Sequence, residues 1–269
     1  MTKKINSNKY SIKERDRERE RERLVVWALF DDAESSYKNA IAKHFKNYNL
    51  EVHSVGINDI SFAKSDKYFY HLIDLSLNNF NLIDQLSRLP KPDIILASPP
   101  CESWSCADCN GKMVRQIDSN GNWIVRNSQF YEKYNKDCHP VKRRYFIQKE
   151  TSRIIGESTI GASIYIIKHF NPKVWVIENP QTSLTWKFQE YHWDFKGYMN
   201  KVYYSSYDKN FSLKPTIFKS NVRLNFKEEK IKGNNNHMAY GSYSKRSSIP
   251  SLLIKDMIDS ILNSKEFNN

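Results

Sequence analysis

A cysteine and a glutamate stand at the ends of two apolar runs. Ile94-Ile95-Leu96-Ala97 leads through Ser98-Pro99-Pro100 to Cys101, and Val174-Trp175-Val176-Ile177 leads directly into Glu178-Asn179-Pro180. Short, partly β-branched apolar runs read as buried strands. Two prolines end the first ladder, because neither can donate a backbone hydrogen bond. Both reactive groups are therefore expected at the carboxyl ends of strands, where open α/β sheets place their chemistry. Neighbouring strand ends in a parallel sheet face one substrate. A thiolate adds to carbon, and Asp or Glu is the natural acceptor for a cytosine amino group. The pair suits attack on an electron-poor ring, with the carboxylate holding the ring while sulfur attacks.

Other segments supply the frame that must hold such a pair. Residues 24–30 and 51–57 read as buried strands and 68–73 as a weaker one. Helices are expected over 35–45, with Ala40, Ile41 and Phe45 on one face, and over 80–89, stopped by Pro90 and Pro92. Two more are expected over 149–170, with Ile154, Ile155, Ile160, Ile164 and Ile167 apolar, and over 249–262. After Tyr191 the pattern turns aromatic and strand-like through Phe226. Residues 106–145 carry no period and read as an inserted loop. Residues 1–23 form a charged tail that alternates in sign without an apolar face. This alternation predicts the α/β class, with a mostly parallel sheet covered by helices on both faces.

Composition narrows the partners. The chain has 269 residues, 13% of them aromatic, so a core by burial alone is expected. Its formal charge of +12 favours a polyanionic partner, although a Lys- and Asn-rich composition alone would also give it. No apolar run of about 18 residues exists, so no membrane partner is expected. The N-terminus lacks an apolar segment of the signal-peptide kind. Four cysteines in this context suit a reducing compartment. The expectation is a cytoplasmic monomer.

Four stretches then point to a family. Ser98-Pro99-Pro100-Cys101-Glu102-Ser103-Trp104-Ser105 and Ile177-Glu178-Asn179-Pro180 resemble the two catalytic motifs of DNA cytosine-5 methyltransferases. The likeness is closer to a compact branch from phages and small bacterial genomes. Residues 170–182 are similar to that branch's second signature, 214–221 to its third, and 246–250 to its closing helix entry. Order and spacing over residues 24–262 carry the resemblance. It implies a Rossmann-like S-adenosylmethionine-dependent methyltransferase fold with a minimal recognition region. The catalytic domain would cover 24–221 and 241–264, and a short recognition-type segment 222–240. Cys101 would attack C6 of a cytosine flipped out of double-stranded DNA. Glu178 would contact N3 and the amino group, Asn179 would brace the loop, and Pro100 would shape the turn.

The same resemblance places the S-adenosylmethionine site at Phe30, Asp31, Asp59, Asp74, Pro99 and Ser248. Here the sequence departs from the family. Its first strand leads into Phe-x-Gly-x-Gly, whereas Phe30-Asp31-Asp32-Ala33-Glu34-Ser35-Ser36 holds no glycine and three carboxylates. Gly56 stands at the position of the ribose-binding acid, with Asp59 as its substitute. Two other readings therefore stay open: a homologue that binds DNA without turnover, and an enzyme acting on RNA cytosine.

DNA contact is assigned to Ser105, Arg143, Arg144, Lys214, Lys245 and Arg246. The insertion interleaves Arg126 and Lys133 with Trp123, Phe130 and Tyr134, a pattern that suits phosphates and stacked bases or else a solvated loop over a small satellite core. Cys106 and Cys109 with Cys138 and His139 could supply four zinc ligands. The long gap between the halves favours metal-free, reduced cysteines, and no metal is expected.

Overall fold

The computed structural model describes residues 23–58, 65–104, 117–240 and 242–268. Its frame is one seven-stranded sheet in the order β3-β2-β1-β4-β5-β7-β6. The strands are β1 (Leu24–Leu29), β2 (Leu50–Gly56), β3 (Tyr68–Leu72), β4 (Ile94–Ala97), β5 (Val174–Pro180), β6 (Tyr198–Tyr203) and β7 (Pro215–Ser220). Pairings from β3 through β5 are parallel, and β7 alone runs against both neighbours. This is an α/β fold with a mostly parallel sheet covered by helices on both faces, the class that the strand-helix alternation predicts.

Side chains alternate between two cores along the central strands, as the pleat requires. Val26, Ala28, Ile94, Leu96, Val174 and Val176 point to one face. There they meet Tyr37, Ala40 and Ile41 of α1 (Ser36–His44) and Leu253, Ile254 and Met257 of the last long helix, α5 (Ser251–Leu262). Val25, Trp27, Leu29, Ile95, Trp175 and Ile177 point to the other face. That face is covered by Leu82 and Leu86 of α2 (Leu82–Leu86) and by Ile160, Ile164 and Ile167 of α4 (Phe146–Phe170). Burial on both faces explains why these strands read as continuous apolar runs.

Three expectations change in detail. The helix foreseen over 80–89 is only Leu82–Leu86. Asn79 explains the late start, because its side chain binds the Asp74 carbonyl and Gln85 while its oxygen accepts the Asn81 amide. The insertion holds a helix, α3 (Ser128–Lys136), capped by Asn127, whose side-chain oxygen accepts the Phe130 amide at 2.9 Å. Glu178 lies within β5 rather than beyond it, paired across the ladder with Phe218. Among the described residues no helix is long and apolar enough to cross a membrane.

Strand order reverses at β1, with β2 on one side and β4 on the other. A crevice therefore opens outside the carboxyl ends of β1 and β4. The segments carrying Asp31, Cys101 and Glu178 all emerge there.

Candidate active site

Cys101 sits on a short loop fixed at both ends. Before it, the Ser98 amide still pairs with the Leu29 carbonyl at 3.0 Å, and the Tyr37 hydroxyl meets Ser98 Oγ at 2.7 Å. Asn179 Nδ2 donates to the Pro99 carbonyl at 3.1 Å from the interior of β5. Behind it, the Trp104 amide closes a turn onto the Cys101 carbonyl at 3.1 Å. Trp104 is fully buried between Trp123 and Phe188, with ring centroids 4.7 and 4.9 Å away. Truncating such an anchor costs about 3–5 kcal/mol. Gly156 of α4 makes room for it. A Cβ there would stand 1.9 Å from Ser103 Oγ and 2.8 Å from Trp104 Nε1.

Glu178 is 8% exposed and reaches the same space from β5. Its Oε1 accepts the Tyr204 hydroxyl at 3.1 Å. Tyr204 is fully buried, and the Lys214 ammonium lies 4.6 Å from its ring centroid. Lys214 also donates to the Arg246 carbonyl at 3.3 Å. Burial pushes the Glu178 carboxyl up, opposed by Lys214 and the Tyr204 hydrogen bond, with Asp32 adding to the rise. Burial, and next the Glu178 charge, push the Cys101 thiol to about 11, with Lys214 pulling the other way. The thiol, the carboxyl and the ammonium thus act on one another. In the free protein Cys101 is a thiol at neutral pH. Glu178 keeps its proton to a higher pH than an ordinary carboxyl.

The loop after β1 turns its carboxylates inward. Asp31 is 2% exposed. Its Oδ2 accepts Ser54 Oγ at 2.8 Å, and its Oδ1 accepts the Tyr37 amide at 3.3 Å. Asp32 accepts the Glu34 amide at 2.8 Å. One first-turn amide of α1, that of Tyr37, is therefore engaged by Asp31, and Asp32 holds the Glu34 amide ahead of the helix. Burial, and then Asp32, raise the Asp31 carboxyl to about 7. Phe30 and Ser35 adopt left-handed φ values of 55° and 52°, which glycine would occupy without strain.

These residues can be tested against S-adenosylmethionine by their chemistry. The cofactor carries a sulfonium and an ammonium against one carboxylate, so it is a net cation. Asp32, only partly buried, suits those positive groups, whereas Asp31 is buried with both oxygens engaged. The exposed Ile57 and Leu72, both 71% accessible at the ends of β2 and β3, suit the flat face of an adenine. Asp74 is exposed beside them and accepts Ser76 Oγ at 3.0 Å. Asp32, Asp74, Ile57 and Leu72 fit the cofactor through its cations and its adenosine. Asp59 lies outside the described residues. Ser248 turns its hydroxyl to the Lys245 carbonyl at 2.7 Å.

The basic candidates fall in two places. Arg143 and Arg144 precede α4, where Asn135 clamps the Arg144 backbone at 2.6 and 2.8 Å. Lys245 and Arg246 are exposed on the short helix Tyr243–Ser247, joined to Lys214 through the Arg246 carbonyl. Ser105, Cys106 and Cys109 lie outside the described residues. Cys138 is partly buried and engages Tyr134. Among the described residues no group of three or more metal-ligating side chains converges.

Sequence reasoning missed Tyr204, Tyr37 and the Gly156 clearance. Tyr204 is 26 positions from Glu178, and only the aromatic character of that region hinted at it.

No family model matches the chain, and no curated protein does. Among solved structures, 43 chains match. One is described as a ribosomal RNA methyltransferase from Plasmodium falciparum. The match covers 77% of this chain and 90% of that one, at 11% identity and a TM-score of 0.34.

Proposed function

We propose that the chain methylates C5 of cytosine in double-stranded DNA, with S-adenosylmethionine as methyl donor. One observation carries this reading: Cys101 and Glu178 share a partly buried space at neighbouring strand ends, with Lys214 acting on both. Burial favours the protonated form of the Glu178 carboxyl, and in that form it offers a donor and an acceptor side by side. That matches N3 and the amino group of cytosine. Donation from Glu178 to N3 draws electrons from the ring and opens C6 to the Cys101 sulfur. Lys214 favours the thiolate as the base arrives. The Sγ–C6 bond forms as the thiol proton leaves to water, and C5 becomes nucleophilic. When bound, S-adenosylmethionine would supply an electrophilic methyl, with Asp32 to hold its cations and Asp74 and Ile57 its adenosine. Loss of the C5 proton to solvent then breaks the Sγ–C6 bond and restores Cys101.

Bisulfite sequencing of DNA from cells that express the protein tests this directly. Protected cytosines in a fixed sequence context are expected, and none with Cys101→Ser. Retained protection in that variant would remove Cys101 from the nucleophile's role.

A second reading is a DNA-binding homologue without turnover. It is favoured by Asp31, which turns inward onto the Tyr37 amide in the first turn of α1, and by Asp32, which takes the Glu34 amide just ahead of that helix. Titration calorimetry separates the two. Heat on adding S-adenosylmethionine supports the enzyme, and no heat with or without DNA supports the homologue.

A further inference from the structure

β6 is the last strand of the sheet, and its outer side meets residues 223–231 running past it as a strap. Polar bonds lace the strap down. The Leu224 amide donates to Asn200 Oδ1 at 2.9 Å, the Lys227 amide to the Tyr207 hydroxyl oxygen at 2.9 Å, and Ser205 Oγ to the Ile231 carbonyl at 2.5 Å. Between strap and strand lies a groove of about 540 Å³, lined in part by Lys201, Tyr203, Arg223 and Asn225.

The charge along this groove has a particular arrangement. Arg223 rests over the Tyr198 ring at 4.9 Å, Lys201 over Tyr203 at 5.1 Å, and Lys227 over Tyr207 at 4.9 Å. Lys201, first through its hydrogen bond, and Lys230 hold the Tyr203 hydroxyl below its usual range. Among the described residues none of Lys201, Arg223 and Lys227 forms an ion pair with a carboxylate. Each long stem is steadied on an aromatic face while its cation stays in water. One carboxylate, Glu228, also lines the groove. Cations held without acidic partners on a sheet edge are arranged for an external polyanion.

We propose that this groove is a sequence-independent contact for the phosphate backbone of duplex DNA, separate from the Cys101 site. It rests on the reading above only for the kind of polyanion. The contact is sequence-independent because Lys201, Arg223 and Lys227 would meet phosphate oxygens, which carry no sequence information.

The test is fluorescence anisotropy over a salt series, with one duplex that contains cytosine and one made only of A·T pairs. The charge-reversing pair K201E/R223E should weaken binding to both duplexes about tenfold at low salt and flatten the log–log salt slope by about 2, since each lost phosphate contact removes about 0.9. E228Q should tighten binding to both. All four side chains concerned, including Lys227, are exposed, so matching melting temperatures will show that the variants fold. Unchanged affinity and slope in K201E/R223E would overturn the groove. Displacement of the duplex by tRNA at a hundredfold lower concentration would overturn its assignment to DNA. Wild-type binding that depends on Lys201 and Arg223, without any methyl transfer, would uphold the groove and defeat the enzyme reading. No binding to either duplex would defeat both.

Discussion

Tyr204 donates its hydroxyl to Glu178 Oε1 at 3.1 Å while Lys214 covers its ring at 4.6 Å. One buried phenol thus links the carboxyl that would hold the base to the cation that tunes the thiol. Tyr204→Phe removes the bond and keeps the shape. The hydrogen bond pulls the Glu178 carboxyl down, so its loss should let burial push that carboxyl higher. Steady-state kinetics should show kcat reduced about tenfold, the upper scale of one neutral hydrogen bond, with the acid-form limb of the pH profile displaced upward. A tenfold loss with an unmoved limb would make Tyr204 a packing residue only.

The thiol gives an independent readout through its alkylation rate. Glu178 raises the Cys101 thiol and Lys214 lowers it. Iodoacetamide at pH 8 should therefore label Cys101 faster in Glu178→Gln and slower in Lys214→Met. Methyl transfer should fall in both, by about a hundredfold or more in Glu178→Gln if the carboxyl moves a proton. Labelling rates that change in the same direction would refute this electrostatic arrangement.

Asp31 should make stability depend on pH. Its carboxyl titrates near 7 in the fold against an ordinary 3.8. Between those values the folded chain holds a proton that the unfolded chain has released, so stability declines as pH rises from about 4 to 7. Asp31→Asn should lack that decline. Urea unfolding of both proteins at pH 4, 5.5 and 7.5 checks it, with the variant gaining on the wild type by a few kcal/mol at most across the series. Parallel curves would show that Asp31 is ionised in the fold.

Gly156→Ala tests how the Cys101 loop is seated. The added methyl would overlap Ser103 Oγ and crowd Trp104 Nε1. A loss of about 1–3 kcal/mol is expected from overpacking, together with a fall in kcat as the loop shifts. Calorimetric melting and single-turnover methylation measure the two parts. Full activity in the variant would show that loop and helix part without consequence.

Much of this frame was legible because the strands of an open parallel sheet are buried on both faces. Runs such as Ile94–Ala97 carry few polar residues and stand out. Cys101 and Glu178 were legible because each directly follows such a run. The rest depended on contacts distant in sequence. Tyr204 joins Glu178 across 26 positions, and no local pattern announces that. The carboxylates at 31 and 32 were visible, but only the fold shows Asp31 engaging the Tyr37 amide of α1 and Asp32 the Glu34 amide ahead of it. The helix Ser128–Lys136 escaped because its face is marked by scattered aromatics, with only Tyr131 buried.

The reversal of β7 has a consequence for how such a site diversifies. Because this strand runs against its neighbours, its first residues and not its last stand beside Pro180 and Tyr203. Lys214 enters from the turn just upstream. That turn, 207–213, can change length or composition without touching the chain that bears Cys101 or Glu178. Cys101 and Glu178, the proposed nucleophile and base-holding carboxyl, are built into the parallel half of the sheet. The reactivity of the thiol is set from a separate hairpin, so one could be inherited while the other is retuned.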